Sequence, residues 1–193
     1  LGINLFDTAE AYGDSEAILG RALEGIARDS YFLVTKWRHD NNGGEQRDPL
    51  ELATSVEKSL RLIGTDYIDV MQFHGLTPSR YNTVVERYYP VIKRLQEQGK
   101  IRFTGLSVWF SADPEQEVAV LALRSNPDLW DTDMLKYGIL NQYAAKEALP
   151  LALEHGVGVL NMAPVRIKLP HPDRLEQQIA EWKERGYLPK DSL

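Results

Sequence analysis

Four side chains invite a chemical reading: Asp7, Tyr12, Lys36 and His74. Asp7 closes the apolar run in "NLFD", and Tyr12 follows in "TAEAYG". Lys36 ends "YFLVTK" and His74 ends "YIDVMQFH". Taken singly, each has a plainer role. A lysine after a strand is a solvated charge, a histidine is structural, an aspartate caps a turn and a tyrosine packs. Together they make a proton-transfer set. A phenol ionises near pH 10, about three units too high for easy exchange at neutral pH. A nearby ammonium stabilises the phenolate, and a carboxylate keeps that ammonium charged and oriented. A histidine beside the phenol can hydrogen-bond a substrate oxygen. Such a set protonates a carbonyl oxygen during reduction, or takes the proton from an alcohol in reverse. Protein side chains supply no hydride, so a bound hydride donor has to complete the reaction.

The elements that must position these residues follow from the apolar pattern. Short β-branched runs lie at Ile3–Phe6, Tyr31–Thr35, Tyr67–Phe73, Ile101–Val108, Met134–Leu140 and Val157–Met162. Between them "SEAILGRALEGIA", "PLELATSVEKSLRLI", "YNTVVERYYPVIKRLQEQ", "PEQEVAVLALRS" and "EALPLALEH" repeat apolar residues at helical spacing. Asp14 or Ser15 offers a helix N-cap, and Asp48 precedes Pro49 at another helix start. Gly99 and Gly156 supply helix stops. This alternation, six times over, predicts a parallel sheet with crossover helices.

Two α/β architectures compete. A dinucleotide-binding doubly wound sheet puts a glycine-rich turn after its first strand, whereas "DTAEAYGDSE" has one glycine and "NNGGE" reads as a loop. The closed (β/α)8 TIM barrel is favoured, in incomplete form. About six βα units are visible in a single domain over residues 1–193, and a full barrel has eight. The expectation is a barrel lacking its first and last strands. In such barrels the chemistry gathers at the C-terminal ends of strands. There stand Asp7, Lys36, His74, Ser107, Asn141 with Gln142, and Asn161.

Composition narrows the function classes. A net charge of −6 argues against nucleic acid as the main partner. The absence of cysteine excludes disulfides and thiolate metal sites, and His39, His74, His155 and His171 stand in unrelated elements, so no metal is expected. No apolar run approaches a membrane span. The default is a cytoplasmic chain with a small-molecule substrate.

The motifs together resemble the aldo/keto reductase family over essentially the whole length. "GINLFDTAEAYGDSEAILGRAL" is similar to the family's first signature, with Asp7 and Tyr12 at matching places. "FLVTK" and "DYIDVMQFHG" supply the matching Lys36 and His74. "EQGKIRFTGLSVW", "LNQY" and "VLNMAPV" resemble cofactor-lining stretches. The resemblance implies a barrel holding NADP(H), more than NAD(H), and reducing aldehydes or ketones, or oxidising sugars and alcohols in reverse. It implies Tyr12 as acid/base, Lys36 and Asp7 as its tuners and His74 as the group that orients the carbonyl. Cofactor contacts would come from Asp7, Ser107, Gln142, Met162, Ala163 and Val165. Ser107-Val108 replaces the family's common Ser-Asn, and Met162 stands where an aromatic often stacks. Arg166 is either a phosphate contact or a surface charge. Two alternatives stay open: a cofactor-binding regulatory subunit of the same fold, and a chain inactive by itself because its barrel cannot close. Trp37, Trp109 and Phe110 either line a pocket or cover the rim.

Overall fold

The computed structural model describes residues 2–41, 44–164 and 171–191. Six parallel strands form one sheet in chain order: β1 (Leu5–Asp7), β2 (Phe32–Trp37), β3 (Ile68–Leu76), β4 (Ile101–Val108), β5 (Thr132–Leu135) and β6 (Gly158–Asn161). Helices α1 (Ser15–Leu23), α2 (Pro49–Ile63), α3 (Pro78–Thr83), α4 (Tyr89–Glu97), α5 (Glu117–Ser125) and α6 (Ala148–His155) form the crossovers, and α7 (Pro172–Glu184) follows β6. This is the incomplete TIM-barrel architecture expected. Among the described residues no helix is long and apolar enough to cross a membrane.

Alternation along each strand separates two faces. Leu33, Trp37, Met71, Phe73, Leu106 and Leu135 face the helices and join Leu52, Val56, Tyr88, Ile92, Val118 and Ala119 in the buried core. The opposite face lines the barrel interior. The sheet has edges at β1 and β6, so interior positions Leu5, Phe32 and Phe103 stay 39%, 47% and 41% exposed.

Local signals act as their chemistry requires. Asp48 caps α2 by accepting from the Leu50 amide, and Glu51 reaches back to the Asp48 amide at 3.0 Å. Gly99 and Gly156 take left-handed φ values of 73° and 69° at helix ends. Asp14 occupies the α1 N-cap position without a side-chain cap bond, while the Ser15 hydroxyl accepts instead from Thr8 at 2.8 Å.

Three boundaries differ from expectation. β5 ends at Leu135 rather than Leu140, because residues 136–142 fold back in a tight bridge between Gly138 and Asn141. Ile139, apolar enough to suggest strand, is 74% exposed there. β3 runs past His74 to Leu76 through a bulge. The single helix expected before Gly99 is split by a π-helical turn at Val84–Tyr88, where the Tyr89 amide donates to the Val84 carbonyl. Pro90 has no amide for the Glu86 carbonyl, which favours the wider turn.

Candidate active site

The first catalytic candidate is placed by backbone pairing. Beyond β1 the chain continues along β2, with the Thr8 amide on the Val34 carbonyl at 2.9 Å and the Glu10 amide on the Lys36 carbonyl at 3.1 Å. A turn then brings the Tyr12 amide to the Ala9 carbonyl at 3.0 Å, and Gly13 takes φ 59° to enter α1. Tyr12 therefore overhangs the ends of β1 and β2, 49% exposed.

Beneath it, Lys36 is almost fully buried at 1% exposure. Its ammonium donates to Asp7 Oδ1 at 2.5 Å and to the Thr8 carbonyl at 2.8 Å. It lies 5.2 Å from the Tyr12 ring centroid. Burial lowers the Lys36 pKa, and the Asp7 carboxylate opposes that loss of charge. A buried cation beside a phenol stabilises negative charge developing on that phenol.

His74 completes the group from β3. Its ring meets Tyr12 edge to face, with centroids 5.4 Å apart at 84°. The bulge after it turns on Gly75, at φ 69°, and the chain then re-pairs Leu76 with Val108. Burial, with the Lys36 and Arg38 charges nearby, lowers the His74 pKa to about 4. The imidazole is thus neutral at ordinary pH, suited to hydrogen-bonding a carbonyl oxygen rather than delivering charge. Its Nδ1 is buried without a partner among the described residues.

These residues open onto a cleft of about 790 Å³, within the usual range for small-molecule sites of roughly 300–1,000 Å³. Ser107, in register with His74 on one side and Met134 on the other, forms its floor. No hydrogen bond to the Ser107 hydroxyl is formed by the described residues. Leu160, Met162 and Ala163 close the β6 side. Ala163 adopts φ 49°, a strained left-handed turn. An unbonded hydroxyl thus stands beside the Met134, Leu160 and Met162 side chains in the cleft lining.

The structure brings Asp7, Tyr12, Lys36, His74, Ser107, Met162 and Ala163 together around this cleft. It does not bring Gln142. Because β5 stops early, Gln142 sits exposed outside the cleft lining, just before the short turn at Tyr143–Ala145. Asn141 accepts from the Tyr143 amide, and Asn161 brackets the Tyr137 backbone; both brace the loop after β5. Val165 and Arg166 lie outside the described residues. Trp37 is core, packed on Phe73 and Tyr88, whereas Trp109 and Phe110 line the cleft. Sequence reasoning missed Arg38 and Met134. Alternation offered a signal for Arg38, which follows Lys36 by two residues, whereas Met134 is placed by its strand register with Ser107.

Comparisons with known proteins agree with this geometry. The aldo/keto reductase family model matches residues 1–169. L-galactose dehydrogenase of Arabidopsis thaliana is 28% identical, aligned over 94% of this chain and 56% of its own length. The NADH-specific methylglyoxal reductase of Escherichia coli is 29% identical over 85% of this chain and 53% of its own. The chain thus spans about half the length of these curated relatives. Among solved structures, an aldo-keto reductase from Bacillus halodurans in its holo form superposes with a TM-score of 0.69 at 31% identity, covering 85% of this chain and 53% of that one. An aldo/keto reductase from Klebsiella pneumoniae in complex with NADP and acetate gives 0.66 at 25% identity, covering 92% and 61%. With the family model spanning most of its length and the barrel architecture to match, the chain belongs to the aldo/keto reductase family.

Proposed function

We propose that the protein is an NAD(P)H-dependent oxidoreductase that reduces aldehydes or ketones, or oxidises sugars and alcohols in reverse, with Tyr12 as the acid/base. One observation carries this reading: the Lys36 ammonium is buried between the Asp7 carboxylate and the Tyr12 ring, with His74 against the same ring. A buried ammonium directly under an exposed phenol, paired with a part-exposed carboxylate, serves no evident packing purpose, and it supports proton transfer at that phenol.

The nicotinamide supplies the hydride that reaches the carbonyl carbon when the cofactor is bound. Ser107 would hold its carboxamide, and Met134, Met162 and Ala163 would pack on the ring. A thioether suits a polarisable aromatic face. The Tyr12 hydroxyl gives its proton to the carbonyl oxygen. Lys36 stabilises the phenolate left behind, Asp7 keeps Lys36 charged, and neutral His74 orients the oxygen. The preference is for NADP(H) over NAD(H). The NADP complex of the Klebsiella pneumoniae structure supports that choice, while the NADH-specific name of the E. coli relative marks the alternative within the family.

The test is Tyr12→Phe in the full-length protein. Carbonyl reduction is expected to fall by about 10²–10⁴-fold, while cofactor affinity stays within a few fold. Unchanged turnover in that variant would remove Tyr12 from the role.

A further inference from the structure

Beside the cleft lies a smaller cavity of about 270 Å³. The two share Arg38, Gly75 and Trp109 as a common wall. Three separate segments converge there: residues 38–41 after β2, Thr77 to Arg80 at the start of α3, and Trp109 after β4.

Two groups of this cavity, His39 and Arg80, have bonding capacity to spare. His39 is 1% exposed, yet neither Nδ1 nor Nε2 has a partner among the described residues. Leaving a buried imidazole unbonded costs roughly 1–3 kcal/mol, so an arrangement that persists calls for a ligand or another explanation. Arg80 donates to the Gly44 carbonyl at 3.0 Å but pairs with no carboxylate among the described residues. Arg38 stacks over Trp109 at 5.3 Å and donates to Asp40 Oδ1 at 2.9 and 3.2 Å. Among the described residues Asp40 is the one carboxylate lining the cavity, against two guanidinium groups. The balance is one net positive charge. The Asp40, Arg38 and Arg80 charges all act on the His39 ring, which shows how tightly the four cluster.

The wall is held rigidly. The Tyr88 hydroxyl, at the end of the π-helical turn, donates to the Arg47 carbonyl at 2.7 Å and lies 3.2 Å from that of His39. The segment carrying His39 is thereby pinned to the helix layer. Preorganised donors around a small cavity are what an anion needs, since little ordering cost remains at binding.

We propose that this side cavity is an anion subsite for the far end of the substrate: Arg38 and Arg80, with the unbonded His39 ring in the wall behind them, bind a carboxylate or phosphate carried by a carbonyl compound whose reacting group lies at Tyr12 and His74. The proposal rests on the reductase reading above for its substrate. It narrows that substrate to acidic aldehydes, ketones or sugars.

Steady-state kinetics of the full-length protein with NADPH test it, using two matched pairs. Succinic semialdehyde is set against butanal, and glycolaldehyde phosphate against glycolaldehyde. At least one anionic member is expected to show a kcat/KM about tenfold above its neutral partner, carried by KM, as one charge-assisted contact allows. The pair that shows it separates carboxylate from phosphate. Arg80→Met is expected to abolish that preference with neutral turnover within about twofold, and Arg80→Lys to restore part of it. Equal kcat/KM within both pairs, or a preference that survives Arg80→Met, would overturn the subsite. Should no aldehyde be reduced at all, the reductase reading fails and calorimetry decides the subsite separately. Binding of succinate or inorganic phosphate to wild type that vanishes in Arg80→Met upholds it; equal or absent binding in both sinks it.

Discussion

The cleft end of β2 and the helix side of β5 each bury an ionisable group, and they do so in opposite ways. Lys36 is buried with a carboxylate at 2.5 Å, a backbone carbonyl and an aromatic ring around it. Asp133 is fully buried with no partner for either oxygen among the described residues. Burial pushes both toward neutrality, lowering the Lys36 pKa and raising that of Asp133 to about 8. Only Lys36 has an opposing charge to resist. Burial alone therefore does not mark function. A buried charge that the fold pairs, and aims at an exposed phenol, is arranged for chemistry. A buried acid left alone is held protonated and costs stability at neutral pH.

That contrast can be broken first at Lys36. Lys36→Met keeps the stem and removes the charge, leaving the Asp7 carboxylate without its cation. Turnover in the full-length protein is expected to fall by roughly 100-fold or more, read as kcat with saturating carbonyl and cofactor. A kcat within threefold of wild type would put Lys36 in the same class as Asp133.

The second test moves stability instead. Asp133 has a folded pKa of about 8 against an ordinary 3.8. Its protonated form favours the fold below pH 3.8, and that contribution is lost as pH rises toward 8. Asp133→Val is expected to gain about 2 kcal/mol at neutral pH, or roughly 4–8 °C in Tm. The gain should shrink as the buffer approaches pH 4, while kcat hardly changes. A lowered Tm at pH 7 would mean that Asp133 has a partner or a role of its own.

The third test, confined to acid pH, is at His74, whose folded pKa is about 4 against an ordinary 6.5. Here the sign reverses. The unfolded chain takes up the proton first, so stability declines as pH falls from 6.5 toward 4. Denaturant melts of wild type and His74→Gln across that window should converge at the acid end. Parallel curves would show that His74 is not held neutral by its surroundings.

Much of this was legible in the chain itself. The six βα alternations read correctly because a parallel sheet covered by helices leaves a strong mark: short β-branched runs separated by amphipathic stretches. Asp7, Lys36 and His74, singled out as strand-end residues, stand together because parallel strands put their C-terminal ends on one rim. The reading failed where apolar character and burial part company. Tyr137 to Leu140 look like strand, yet they form an exposed loop after β5. Gln142, expected at the cofactor from the family resemblance, stands in that loop outside the cleft lining, while Met134, in register with Ser107, lines it.

The sequence by itself determined the order of elements, the parallel sheet and the identities at the strand ends, since these depend on local periodicity. Tertiary structure alone decided which buried groups are paired. It set the Lys36–Asp7 distance, the bulge at Gly75 that seats His74, and the convergence of Arg38, His39 and Arg80 from two crossover segments. Those outcomes depend on strand register and on which side chains share a cavity. Both are long-range contacts, and no short window of residues encodes them.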